Sequence, residues 1–353
     1  MKRLMLLLSG SGILLALMVL FPGNRFISLS GSADAKDAVS TGSEASNSVS
    51  HVSIPADIRN IITSPGIVST PIEASGITYV ETMNSFLLVS DDTEDKRTDI
   101  FVMDTTGRIT ARQTIKGIDK INDMESVFHA GSDIFYTLTS QSYNKNGKQP
   151  LSRTLYVRFN KKGSSFQQTG SISLVAVLLE AASTTKKEKW AQFISRSSND
   201  QSIDIEGMAI YNDTLLLGFK NPKLDNRAVI LAVSNLNTVF SSGKITSDQV
   251  SVWRTLPLFD KSSSTFCGIS DLAVYGDQIY GVSTGVSSKS GIDEDIGLFW
   301  KYSPSTDSLI IIRNFKGLKP EGVTVYGDPL HYCIVFDNGT KSPSQFLRGK
   351  VAF

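Results

Sequence analysis

One phrase recurs along this chain, and its period constrains the fold more tightly than anything else in the sequence. The clearest copy lies between Ile203 and Arg227. It sets the acidic pair Asp204 and Glu206 against Gly207, then runs through a short apolar strand (Met208-Ala209-Ile210) and a polar turn (Tyr211-Asn212-Asp213). A second apolar strand, Leu215–Phe219, and Asn221-Pro222 follow. Degraded copies pair Ser75–Tyr79 with Phe86–Val89, Met124–Phe128 with Ile134–Leu138, Ser270–Val274 with Gln278–Val282, and Pro320–Val325 with His331–Phe336. Aligned on Gly76, Ser126, Gly207, Asp271 and Gly322, the copies are spaced 50, 81, 64 and 51 residues apart. A strand–turn–strand unit at such a period suits a four-stranded propeller blade, which cannot bury both faces unless neighbours stack on it. Asn-Asp, Gly-Asp and Gly-Ser dipeptides supply the tight turns.

The segments between the phrases provide the outer strands. These are Asp99–Asp104 and Arg108–Ile115, Thr154–Phe159 and Ser165–Ser171, Ala228–Val233 and Val250–Leu256, and Gly297–Tyr302 and Leu309–Asn314. The last unit has only Phe346–Phe353, so a strand from the amino-terminal side, Gly66–Thr70, is expected to complete it and close the ring. The predicted fold is all-β: a β-propeller of about five four-stranded blades, with six as the alternative count, over residues 54–353. The long interval before the third phrase carries Leu174 to Ile194, whose apolar spacing around Ala181-Ala182, Trp190 and Phe193 predicts one helical insertion packed on the ring.

Lys2 and Arg3 precede an apolar run from Leu4 to Phe21 that Pro22-Gly23 closes. Residues 1–27 therefore read as an export signal, with Ala33-Asp34-Ala35 as a cleavage site, or as an uncleaved membrane anchor. No cysteine follows the run, which excludes a lipoprotein. Either way the bulk of the chain is expected outside the cytoplasmic membrane, periplasmic or extracellular, touching the membrane only through this segment. Residues 28–53 are Ser-, Ala- and Gly-rich and have linker composition. A formal net charge of +1 offers no bulk field for nucleic acid. Cys267 and Cys333 are too few for a disulfide framework and read as separate buried thiols, a single bridge being the alternative.

Asp204-Ile205-Glu206-Gly207-Met208-Ala209, followed by Leu215–Pro222, resembles the signature of an uncharacterised bacterial propeller family. That family is related to the phytase-like propellers and to domains labelled "esterase-like activity of phytase". Asp123–Ser126 leading into Thr139–Lys148, Ser90-Asp91-Asp92 and Gly268–Ala273 fit the same pattern, and the likeness covers most of Ile72 to Asn338. Ser126 stands where the motif prefers glycine. The resemblance implies the fold, and calcium held by acidic groups that line the channel. It does not imply phytase activity.

In a propeller, residues just before the innermost strand face the mouth of the central channel. Glu125, Glu206 and Glu321 align there, and Asp123, Asp204 and Asp271 lie one or two places away. Carboxylates converging in that number repel unless a cation or basic side chain neutralises them, and hard oxygen ligands suit Ca²⁺ or Mg²⁺ better than zinc. These six are the candidate metal ligands. Glu125, Glu206, Glu321, Asp204, Lys220 and Arg227 are the candidate ligand-binding set, with Lys319 a further countercharge. The competing reading is structural: each glutamate accepts backbone N–H bonds and fixes the register between blades. The acidic runs Asp91–Asp95 and Asp293–Asp295 lack EF-hand spacing and read as solvated loops. No nucleophile elbow, phosphate loop or zinc motif occurs, and His51, His129 and His331 have no metal spacing. Three functions fit: an exported protein binding a cation or small polar ligand at an acidic channel mouth and displaying loops to an envelope partner; a Ca²⁺-dependent phosphoester or ester hydrolase, for which lysine and arginine are scarce near the motifs; and a structural envelope scaffold.

Overall fold

The computed structural model describes residues 57–68, 71–91, 98–163, 165–289, 291–339 and 342–351. All lie within the compact unit His51–Phe353. The signal or anchor expected at 1–27, the linker at 28–53, and Asp92–Asp95 lie outside the described residues.

Short antiparallel meanders follow one another along the chain. After β1 (Ile58–Asn60) come β2 (Ala74–Val80), β3 (Ser85–Ser90), β4 (Asp99–Met103) and β5 (Ile109–Lys116). The second meander is β6 (Met124–His129), β7 (Ile134–Thr139), β8 (Leu155–Lys162) and β9 (Ser165–Ser173). Parallel pairing of Ile115 and Lys116 with Phe166 and Gln167 joins the first two meanders into one eight-stranded sheet. Next are β10 (Asp204–Tyr211), β11 (Thr214–Asn221), β12 (Ala228–Ser234) and β13 (Val250–Leu256); then the two-residue pair β14 (Phe259–Asp260) and β15 (Thr265–Phe266). The fourth meander is β16 (Gly268–Tyr275), β17 (Gln278–Ser287), β18 (Glu294–Ser303) and β19 (Ser308–Lys316). The last sheet is ordered β1, β22 (Gln345–Lys350), β21 (His331–Asp337), β20 (Lys319–Tyr326). The fold is thus all-β, with several four-stranded sheets in a propeller-like arrangement and a few short helices.

The strand that completes the last sheet is Ile58–Asn60; of the expected Gly66–Thr70, Ser69 and Thr70 lie outside the described residues. The backbone turns at Pro65-Gly66, where the amides of Ile67 and Val68 both bond to the carbonyl of Ser64, so no ladder can form there. The helical segment comprises two helices, α1 (Leu174–Thr184) and α2 (Lys189–Asn199). Their apolar faces pack on the third meander, with Phe193 edge-on to Phe219 at 5.0 Å. A further helix, α3 (Leu236–Ser242), connects β12 to β13. Among the described residues no helix is long and apolar enough to cross a membrane.

Strands flanked on both sides within their sheets, such as β3 and β12, are buried almost throughout and read as continuous apolar runs, whereas the fourth strands β5 and β19 are mostly half-buried or exposed. Every first strand carries a bulge at the same place. The register slips at Ser75, Glu125, Glu206, Ser270 and Glu321, each one residue before the position on which the repeats align. A bulge re-aims the extra side chain, here at five equivalent points. The aligned residues themselves crowd together. A Cβ on Gly76 would lie 2.7 Å from the Glu125 carbonyl and the Ser126 Cα, and one on Gly322 would lie 3.0 Å from the Gly76 Cα. Only glycine permits that approach.

Asp271 fills the point of convergence. Its carboxylate accepts from Ser126 Oγ at 2.8 Å and from the Val323 amide at 3.0 Å, with further backbone bonds from Leu272 and Met208. One 1%-exposed side chain therefore ties four meanders together. Cys267 and Cys333 are free, buried and in separate apolar clusters.

Candidate functional site

Three positions recur in every meander. They are the residue three before the aligned position, the residue one before it, and, on the second strand, the residue two beyond the aligned position's partner. In order they are Glu73, Ser75 and Asp91; Asp123, Glu125 and Ser140; Asp204, Glu206 and Lys220; Gly268, Ser270 and Thr284; and Lys319, Glu321 and Asp337. The fourth meander is uncharged at all three. From the other four, Glu73, Ser75, Asp91, Glu125, Glu206, Lys220, Lys319, Glu321 and Asp337 line one cavity of about 30 Å³. A space of that size holds an ion or one to two waters and no organic substrate.

Charge in this cavity is lopsided. On one side runs a ladder: Lys220 Nζ lies 2.8 Å from Glu206 and 3.3 Å from Glu321, and Lys319 Nζ lies 2.8 Å from Glu321 and 3.0 Å from Asp337. Burial works against the Glu321 carboxylate, yet the two ammonium groups hold its pKa below the usual range. Lys220 is raised well above its ordinary value, because four carboxylates, Glu206 first, outweigh its own burial. Glu206 takes only one side of this ladder. Its Oε2 is buried without a partner, and burial raises its pKa well above normal despite Lys220.

On the other side, no lysine contacts Asp91, Glu125 or Glu73 among the described residues. Burial, then a hydrogen bond and charge repulsion from Glu73, push Asp91 up to about 8. Burial followed by the Glu206 charge raises Glu125 well above the carboxylate range. Carboxylate oxygens of Asp91, Asp123 and Glu125 all fall within 4.8 Å of one another. Asp123 is held at φ 64°, a left-handed conformation seldom taken by non-glycine residues, while its amide bonds to the Asp91 carbonyl at 3.0 Å. Arg153 and the Ser140 hydroxyl anchor the same carboxylate. Asp91 Oδ1 is buried and unpartnered. Hard oxygen donors, an orphaned buried oxygen and a surplus of negative charge fit a divalent cation of the Ca²⁺ or Mg²⁺ kind, though nothing in the donor set singles out calcium.

The cavity thus brings together Glu125, Glu206, Glu321 and Lys220 of the expected set, with Asp123 at its edge. Asp204 lies beside it in a groove with Tyr143 and Asn221, where burial raises its pKa against the pull of Lys220. Two expected members stand elsewhere. Arg227 donates to the carbonyl and hydroxyl of Thr255 and lines an outer groove with Trp253. Asp271 lies one bulge deeper, and Ser126 and backbone amides occupy its two oxygens. The cavity also contains Glu73, Asp91 and Asp337, which the phrase did not point to. Counting along the second strands to the place of Lys220 finds Asp91 and Asp337, and counting back along the first strands to the place of Asp123 and Asp204 finds Glu73.

Fold and cavity together define a β-propeller-like protein with an acidic pocket able to coordinate a cation. Residues 160–279 match a family model described as a protein of unknown function (DUF3616). No curated protein matches. Among solved structures the chain is similar to a GH43 β-1,3-galactosidase with galactodeoxynojirimycin, at 9% identity over 84% of this chain and 94% of that one, TM-score 0.45. It is also similar to a GH43_12 protein from a capybara gut metagenome (8%, 86% and 55%, TM-score 0.41) and to a nidogen/laminin complex (11%, 77% and 79%, TM-score 0.39). The propeller-like architecture rests on the meanders themselves, and the expected phytase-like kinship is not specifically supported.

Proposed function

We propose that this chain is an exported five-bladed β-propeller, closed by β1 on β22, that binds a divalent cation, Ca²⁺ foremost, at one mouth of its channel and is not a hydrolase. The observation that carries the reading is the convergence of Asp91, Asp123 and Glu125 within 4.8 Å, where Arg153 pairs with Asp123 alone and no lysine forms an ion pair with any of the three among the described residues. These three residues would hold the ion, which supplies the positive charge their burial demands. The cavity, about 30 Å³, is matched to an ion rather than to a phosphoester or acyl ester, which weighs for binding over hydrolysis. Export and the envelope partner rest on the basic and apolar residues 2–21. A purely structural scaffold is the second reading, favoured by the lysine ladder and by the Asp271 bonds across the axis.

Elemental analysis of the purified full chain, with thermal melting in Ca²⁺, in Mg²⁺ and in EDTA, tests the proposal. We expect one equivalent of ion and a melting temperature that falls on chelation, with Glu125→Gln losing both responses. A chain that carries no ion and melts identically in all three conditions would overturn the metal reading and leave the scaffold.

A further inference from the structure

The same inner strands end at a second recess on the opposite face. It has a volume of about 740 Å³, and its walls include Tyr79, His129, Tyr275, Tyr326 and Arg348. The bulges that aim side chains into the acidic cavity lie at the start of these strands, whereas the aromatic residues lie three or four positions beyond the aligned residues. At about 3.3 Å per residue the two sites are more than about 10 Å apart, with Asp271 and Ser126 packed between them. They are separate sites.

The aromatic recess is pre-formed. Tyr326 is stacked on Tyr79 at 4.1 Å and on His331 at 5.8 Å, and Phe86 meets Tyr326 edge-on at 5.5 Å. Tyr275, 39% exposed, is fixed by its hydroxyl on the Gly327 carbonyl at 2.9 Å. The Arg348 guanidinium is held by the Tyr326 hydroxyl at 2.9 Å and the Thr105 carbonyl at 2.6 Å. That pairing makes Tyr326 an acceptor toward Arg348 and leaves its proton for a visitor. Planar polar groups, Asn84 and Asp328 among them, complete the rim. The charged members are Glu81, Asp328 and Arg348, a net single negative charge that is too weak a field to select a charged ligand.

We propose that this recess binds a neutral polyhydroxylated ring, that is, one or two saccharide units. Such a ring has an apolar C–H face that lies against an exposed aromatic plane such as Tyr275, and an equatorial rim of hydroxyls that planar amide, carboxylate and guanidinium groups bind in pairs. A recess of this volume, aromatic in its body with a few fixed polar groups, is the usual form of a small-molecule site. Fixing those groups beforehand lowers the entropy lost on binding.

Saturation-transfer NMR and calorimetry on the full chain test this, using methyl glycosides of glucose, galactose, mannose and N-acetylglucosamine and their short oligomers. Glucuronate and glucosamine serve as charged controls. A neutral glycoside should bind, and Tyr275→Ala, at a half-exposed position that leaves the core intact, should weaken it about three- to tenfold. Arg348→Gln should weaken it as well, while Glu206→Gln and EDTA leave it unchanged. Absence of binding by every neutral probe, binding of only the charged ones, or equal affinity in a folded Tyr275→Ala chain would each overturn the proposal. Because the acidic cavity is read out by metal content, failure here leaves the cation reading untouched.

Discussion

Replacing Lys220 by methionine removes the ammonium that joins two meanders across the cavity. It sits 2.8 Å from Glu206 and 3.3 Å from Glu321, whose side chains are 7% and 4% exposed. Breaking a buried pair by deleting one partner costs about 3–5 kcal/mol, because the other charge is left uncompensated. Glu321 keeps Lys319 at 2.8 Å, so the loss falls mainly on Glu206, whose second oxygen is already orphaned. The low end, about 3 kcal/mol, is therefore expected. Glu206 has one escape, which is to take up a proton. Burial already raises its folded pKa, and without Lys220 the value rises further above that of the unfolded chain. A carboxyl raised on folding opposes folding once the unfolded form ionises, so the penalty grows with pH and vanishes below about pH 4. Urea unfolding of wild type, Lys220→Met, Glu206→Gln and the double variant across this range gives the coupling directly. The Lys220→Met loss should be largest at about pH 8, shrink on acidification, and be largely relieved by Glu206→Gln. A Lys220→Met chain within about 0.5 kcal/mol of wild type at every pH would refute the account of the ladder.

Two further outcomes follow from the cavity and the axis. Asp91, pushed up to about 8 by burial and Glu73, is protonated at neutral pH; a cation must displace that proton, so affinity should rise by at least about tenfold per pH unit below about pH 8. Calorimetry in two buffers of different ionisation heat should reveal protons released on binding, from Asp91 and from Glu125, which burial also raises, and buffer-independent heats would contradict this. Asp271→Ala strands the Ser126 hydroxyl and the Val323 amide inside the structure and should cost about 3 kcal/mol or more in urea unfolding. The folded fraction should still take up its ion, since Asp271 is not one of the converging ligands; loss of the ion without loss of stability would reverse that assignment.

The repeats were legible because each meander needs the same small or polar residue where the strands converge, and Gly76, Gly207 and Gly322 survive as that mark. Aligning on them brought Glu125, Glu206 and Glu321 into one cavity, since the bulge always falls one residue earlier. Asp271 stands apart from the other five candidate ligands for the same reason. It sits at the aligned position itself, where the other copies have glycine or serine, and a carboxylate there must turn inward to the axis. Asp91 looked like the start of a solvated acidic loop, because nothing in Asp91–Asp95 records that β3 ends against β6. Arg227 neighbours the clearest phrase in sequence, but β12 carries it outward to Thr255. A partner in the neighbouring strand, 28 positions on in sequence, leaves no local pattern.

The pairing of β1 with β22 also sets an order in time. Asn60 and Gln345 are joined by a hydrogen bond across 285 positions of chain. Strand β1 is the first of the described strands to be synthesised, and the strand it pairs with is the last. Contacts of such separation form late, because the entropy of closing the loop is lost before any contact repays it. Throughout synthesis β1 is an unpaired edge, open to any other strand it meets. Its three residues, with Arg59 and Asn60 exposed, are short and polar enough to wait without recruiting the wrong partner.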